Sequence, residues 1–207
     1  MLRKIFFGSM DWIWRLGWLN LLWFLFSIPL FTLIPATFAM YAVVNKWLTE
    51  DKDIDIFPTF TSAFKKYFIK SVPLGAILLF LGLFLYFDLL ILSGETNELM
   101  TIVRYGILIL AFLFVPVASY SIQVFIEYEV PWYKALAISF FITLRKPLNT
   151  LLLVCGILFA VLVFVFFTGF GILFFASLTA LFSSKAAIAG IKDLQGFNAN
   201  NNRINLS

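Results

Sequence analysis

The chain has 207 residues, 62% of them hydrophobic and only 13% charged, with 27 Phe and no His. A soluble globular domain is about half apolar and about a quarter charged, so this composition excludes a water-soluble fold. The net charge of +4 fits the Lys and Arg that gather in cytoplasmic loops. With no basic soluble domain to carry it, that charge does not mark a nucleic-acid binder.

Residues 1–11 form a short head with Arg3 and Lys4. Residues 16–45 then carry no charge and include Pro29 and Pro35. As one helix this run would be about 45 Å long, against a hydrocarbon core of about 30 Å. Split at residues 27–31, it gives two spans of about 17 residues each, the lower edge of what crosses. It is too long for a signal-peptide core and leads into more apolar sequence, so it reads as an uncleaved first span.

A polar turn at 50–55 precedes Phe57, Phe60, Phe64 and Phe68, which recur at helical spacing, with Lys65, Lys66 and Lys70 beside them. This pattern predicts an amphipathic helix over 57–70 lying at the membrane surface. A span at 72–92 follows, then a loop, then a span at 105–125 with Pro116 as its expected kink. Trp132, Leu136, Phe140 and Leu144 share one helical face and predict a second interfacial helix over 131–146. Residues 148–184 are again uncharged, with a break expected at 168–171 and a frayed polar tail at 196–207.

Charge decides how the two long runs cross. If each crosses once, the fifteen Lys and Arg divide eight to seven between the two sides. If each is a hairpin, every one except Arg104 falls on one side, fourteen to one, as the positive-inside rule requires. The expected fold is therefore an all-α, polytopic transmembrane helical bundle. It has six spans (12–28, 31–47, 72–92, 105–125, 148–167 and 170–187) and two interfacial amphipathic helices. A single transmembrane domain covers 1–195, in the cell membrane, with both termini cytoplasmic. Shifting residues 63–82 by 74 positions also aligns Ala63 with Ala137, Pro73 with Pro147 and Gly82 with Gly156. Both copies read as surface helix, basic patch, Pro-Leu and span, an echo of two related halves.

The chemistry on offer is sparse. The single Cys155 lies in an apolar run, there is no His, and no HExxH, P-loop or GxSxG motif occurs. No catalytic residue, metal or cofactor is expected. The acids Glu127 and Glu129, and Asp51, Asp53 and Asp55, read as solvated helix ends or turns. Polar groups inside spans carry more information, because burying them without partners is costly. The candidates are Asn20, Thr37, Asn45 and Gln123, with Asn149, Ser119, Tyr120 and Ser121 as lesser ones. Interhelical hydrogen bonding is the first account of them and substrate contact the second. Asp88 and Arg104, at the outer ends of adjacent spans, are expected to form an ion pair. Most of the six Trp sit near span ends, where aromatic belts form.

Leu19-Asn20 with Trp23, Pro35-Ala36-Thr37 with Ala39-Met40, Lys46-Trp47-Leu48, and the YFDL of residues 86–89 resemble the YesL-like family of bacterial multi-pass membrane proteins. The resemblance covers about residues 5–195. It implies a role near carbohydrate uptake, because such proteins are commonly encoded beside importers of the ATP-binding-cassette type. It supplies no ligand or catalytic residues. The leading expectation is a non-enzymatic membrane protein accessory to a carbohydrate importer or a sugar sensor. The alternative is a small transporter in its own right, as a homodimer with a polar path between its halves.

Overall fold

In the computed structural model the described residues are 2–49, 54–94, 97–166 and 174–189, with side chains described from residue 12 onward. Most of the turn expected at 50–55, the break expected at 168–171 and the tail expected at 196–207 lie outside them. The fold is all-α. The helices are α1 (Leu2–Phe26), α2 (Leu33–Thr49), α3 (Ile56–Tyr67), α4 (Val72–Leu92), α5 (Glu98–Tyr128), α6 (Trp132–Arg145) and α7 (Pro147–Phe166). A shorter apolar helix, α8 (Phe174–Ala189), follows.

The first long run breaks where its prolines and hydroxyls dictate. The Ser27 N–H bonds back to Trp23 O at 3.0 Å and closes α1. Pro29, which has no N–H to continue a helix, precedes a 3-10 turn at Leu30–Thr32. The Thr32 hydroxyl lies 2.6 Å from the carbonyls of both Phe26 and Pro29, tying the end of α1 to the start of α2. The chain then doubles back. Trp12 meets Trp47 edge to face at 6.1 Å, and the Trp23 indole N–H donates to Thr37 Oγ1 at 3.1 Å. Only antiparallel helices make both contacts, so α1 and α2 form a hairpin. By the same test α7 and α8 are antiparallel: Phe164 meets Phe175 at 5.5 Å and Phe159 meets Phe182 at 6.2 Å.

The two amphipathic helices pack in opposite ways. The middle of the aromatic stripe of α3 turns toward protein, with Phe60 and Phe64 5.2 and 5.0 Å from Phe26, while Phe57 and Phe68 at its ends stay exposed; Tyr67 stands 6.5 Å from Phe38. On α6 the predicted stripe stays largely outward, with Trp132, Phe140 and Leu144 exposed. Its buried face is Ala135, Ser139, Ile142 and Thr143. Ser139 and Thr143 can be buried because their hydroxyls bond back to Ala135 O and Ser139 O, at 2.6 and 2.8 Å. Small side chains then let α6 lie close against α5. The sequence echo survives as element order, since α3 leads into apolar α4 and α6 into apolar α7.

Among the described residues three helices are long and apolar enough to cross a membrane: α4, α5 and α7, with mean hydropathies of 2.4, 2.2 and 2.7. Only 11% of the most apolar stretch of α4 and 17% of that of α7 is buried inside the protein. Their outward Leu and Phe side chains would have no solvent but lipid. The protein is an integral membrane protein. α5 is 31 residues long, runs through buried Pro116 and begins with Asn97 accepting from Leu99 N at 3.1 Å. Two glycines permit close approach. A Cβ on Gly75 would lie 2.2 Å from Ile34, and one on Gly156 would lie 2.5 Å from the Phe182 ring.

Candidate functional site: a polar cavity where α2, α3 and α5 meet

The last turn of α2, the polar face of α3 and the end of α5 enclose a cavity of about 600 Å³. Asn45, Lys46 and Thr49 come from α2, Thr59, Ser62, Lys66 and Tyr67 from α3, and Glu127 from α5. α3 supplies this face while Phe60 and Phe64 turn the other way, against Phe26. Asn45 is buried, and its Nδ2 donates to Glu127 Oε2 at 2.7 Å, while its Oδ1 has no partner among the described residues.

Next to it, Lys66 Nζ reaches Glu129 Oε1 at 2.5 Å and lies 5.2 Å from the centre of the Tyr67 ring. Glu129 caps α5 in the left-handed conformation at φ 48°, which a non-glycine residue rarely adopts. The hydrogen bond to Glu129 raises the Lys66 pKa, and in return Lys66 holds the Glu129 carboxyl below its ordinary range. Burial pushes the Tyr67 hydroxyl up. A second cavity, of about 330 Å³, adjoins on the far side of this ion pair, between Tyr67, Lys70, Phe125 and Trp132. Among the described residues no three of His, Cys, Asp and Glu cluster closely enough to hold a metal ion. The site presents hydroxyls, an amide, ammonium groups and a carboxylate, so it can bind a polar molecule through mixed donors and acceptors.

The structure buries Asn20, Asn45 and Gln123 and half-buries Thr37, but does not bring them together. Asn20 is 3% exposed, and its Oδ1 accepts from the Ser177 backbone N–H of α8 at 3.2 Å. Thr37 meets Trp23, Asn45 meets Glu127, and Gln123 donates to Ser184 of α8. Each amide therefore joins two helices of its own. Tyr41 of α2 adds a further polar group beside Ser119 and Ser183.

The expected Asp88–Arg104 ion pair is not formed: among the described residues no salt bridge joins them. The register that seats Gly82 against Phe114 sets Arg104 about one turn beyond Asp88. Thr59 and Ser62 were not singled out from sequence, and Lys66 only as one of the basic residues of a membrane-surface helix, because this face becomes a cavity wall only when α3 docks on α2. The Glu127/Glu129 pair, read as a solvated helix end, becomes the anchor of both clamps.

Fold and site thus define a polytopic, all-helical membrane protein with a polar pocket at one end of its bundle. The chain belongs to the YesL-like family. It is 32% identical over 186 residues, 88% of each chain, to the uncharacterized protein YesL of Bacillus subtilis (strain 168). It is also 33% identical to YesV of that bacterium over 69% of this chain and 71% of YesV, and to YteU over 63% and 59%. Residues 16–89 match the family described as protein of unknown function, DUF624. No solved structure matches the chain.

Proposed function

We propose that this is a non-enzymatic integral membrane protein that serves as an accessory to a carbohydrate importer. The observation that carries this reading is how its polar groups are used. Asn20, Asn45 and Gln123 each join two helices, the role expected of bundle glue, while open polar space collects at one end beside exposed Lys46, Lys65 and Lys66. Such a solvent-facing polar end suits a contact with a partner subunit. The carbohydrate assignment rests on the family resemblance alone.

In the arrangement we propose, the α1/α2 and α7/α8 hairpins each cross twice. Together with α4 and α5 they make six spans, and both termini and the cavity face the cytoplasm. The fourteen-to-one charge split and the antiparallel contacts of the two hairpins support it. The test is capture of the tagged chain from bacterial membranes in mild detergent, followed by mass spectrometry. Importer subunits should copurify from cells growing on the corresponding sugar. Their absence, together with sugar uptake by liposomes containing this chain alone, would favour the second reading, a small transporter. The observation that favours that reading is the unpartnered Asn45 Oδ1 at the cavity wall.

A further inference from the structure

We infer that the groove between α7 and α8 is a binding site for an anionic glycerophospholipid, holding one acyl chain, with Lys185 on its phosphate. The groove has a volume of about 480 Å³. Along α7 it is lined by Asn149, Leu152, Cys155 and Phe159, and along α8 by Phe182, Lys185 and Ala186, each set at helical spacing. Its shape follows from the sequence. At Gly156 the helices touch so closely that a Cβ would strike the Phe182 ring, and the Phe159–Phe182 pair closes that end. Toward the other end the small side chains of Ala186 and Ala189 on α8 leave the space open below Lys185.

The polarity is one-sided. Apart from Asn149 and Lys185 at the open end, the walls are hydrocarbon, aromatic ring and one thiol. From Asn149 to Phe159 the groove runs about 15 Å along α7, the length of roughly a dozen extended chain carbons. Lys185 is exposed, and among the described residues no carboxylate pairs with it. An apolar slot of chain length with an ammonium at its mouth is complementary to an acyl chain joined to a phosphate. A zwitterionic lipid could fill the slot but would gain less from Lys185. Since α7 is one of the membrane-crossing helices, the occupant is at hand.

Cys155 is the chain's single cysteine, is exposed, and lies in the groove wall, so it reports occupancy. The full chain is placed in nanodiscs of phosphatidylcholine, with or without phosphatidylglycerol of the same acyl chains. Modification of Cys155 by an uncharged maleimide is then timed. Phosphatidylglycerol should slow the reaction about fivefold, the factor that one lysine beside an anionic headgroup supplies. Lys185→Gln, at an exposed position, should abolish that difference. Ala186→Leu, which fills the slot, should make the rate insensitive to lipid. Equal rates in both lipids, a preference that survives Lys185→Gln, or slowing by inorganic phosphate without phosphatidylglycerol would each overturn the assignment.

Discussion

Single residues carry two roles that the structure separates cleanly. Asn20 holds α1 to α8 by accepting a hydrogen bond from the backbone N–H of Ser177. Asn20→Leu should lower thermal stability in detergent by about 1 kcal/mol, the usual scale of an interhelical polar contact. Unchanged melting would mean the bond contributes nothing in the folded membrane protein. Glu129 stores backbone strain at φ 48°. Glu129→Gly and Glu129→Ala both remove the carboxylate, but only glycine adopts that conformation freely. The glycine variant should therefore be the more stable by about 1 kcal/mol in thermal unfolding.

At the scale of elements, α3 is held by aromatic packing on one face and by the Lys66–Glu129 pair at its edge. The Glu129 pKa is lowered from 4.5, so its contribution is present above that pH and is lost as pH falls through the lowered value. The Lys66 pKa is raised from 10.5, so its contribution is present below that pH and is lost as pH rises through the raised value. Docking of α3 should thus be fullest between these limits and loosen in acid. Distances between spin labels on α3 and α5, followed from pH 7 downward, should broaden below about pH 4.5 and stay constant in Glu129→Gln. An acid response that persists in Glu129→Gln would assign it to another group. The α1/α2 hairpin has its own test in a Cys155→Ser background. Trp12→Cys with Trp47→Cys should be joined by a short bifunctional maleimide, whereas a single straight crossing would hold the two apart.

For the whole molecule, the consequential property is orientation. Of fifteen Lys and Arg, Arg104 alone lies on the side opposite the rest in the six-span arrangement. In the same cysteine-free background, Gly94→Cys between α4 and α5 should react with an impermeant thiol reagent added to intact cells. Lys134→Cys, at the start of α6, should be protected until the membrane is opened. The reverse pattern would put the cavity outside the cell and remove the basis for a cytoplasmic partner at that end.

Much of this was legible in the residues because a bilayer leaves few options. Continuous apolar runs must become helices, since no water is present to satisfy backbone groups. Prolines and hydroxyls at 27–32 fix where the first run breaks, and charge ranks the topologies. Burial of Asn20, Asn45 and Gln123 follows for the same reason: an amide in lipid needs a protein partner. Which partner was another matter. Asn20 takes a backbone N–H 157 positions away, and Gln123 a serine on α8. Nothing local encodes such pairings, which depend on how whole helices are placed. The same holds for the two amphipathic helices, whose stripes look alike in sequence. The middle of one, Phe60 and Phe64, faces protein and the other stays largely outward, because Phe26 offers α3 an aromatic surface while α5 offers α6 a close fit for small residues. The cavity lined by Asn45, Lys66 and Glu127 is likewise a product of tertiary structure, since its walls come from three helices that only docking brings together.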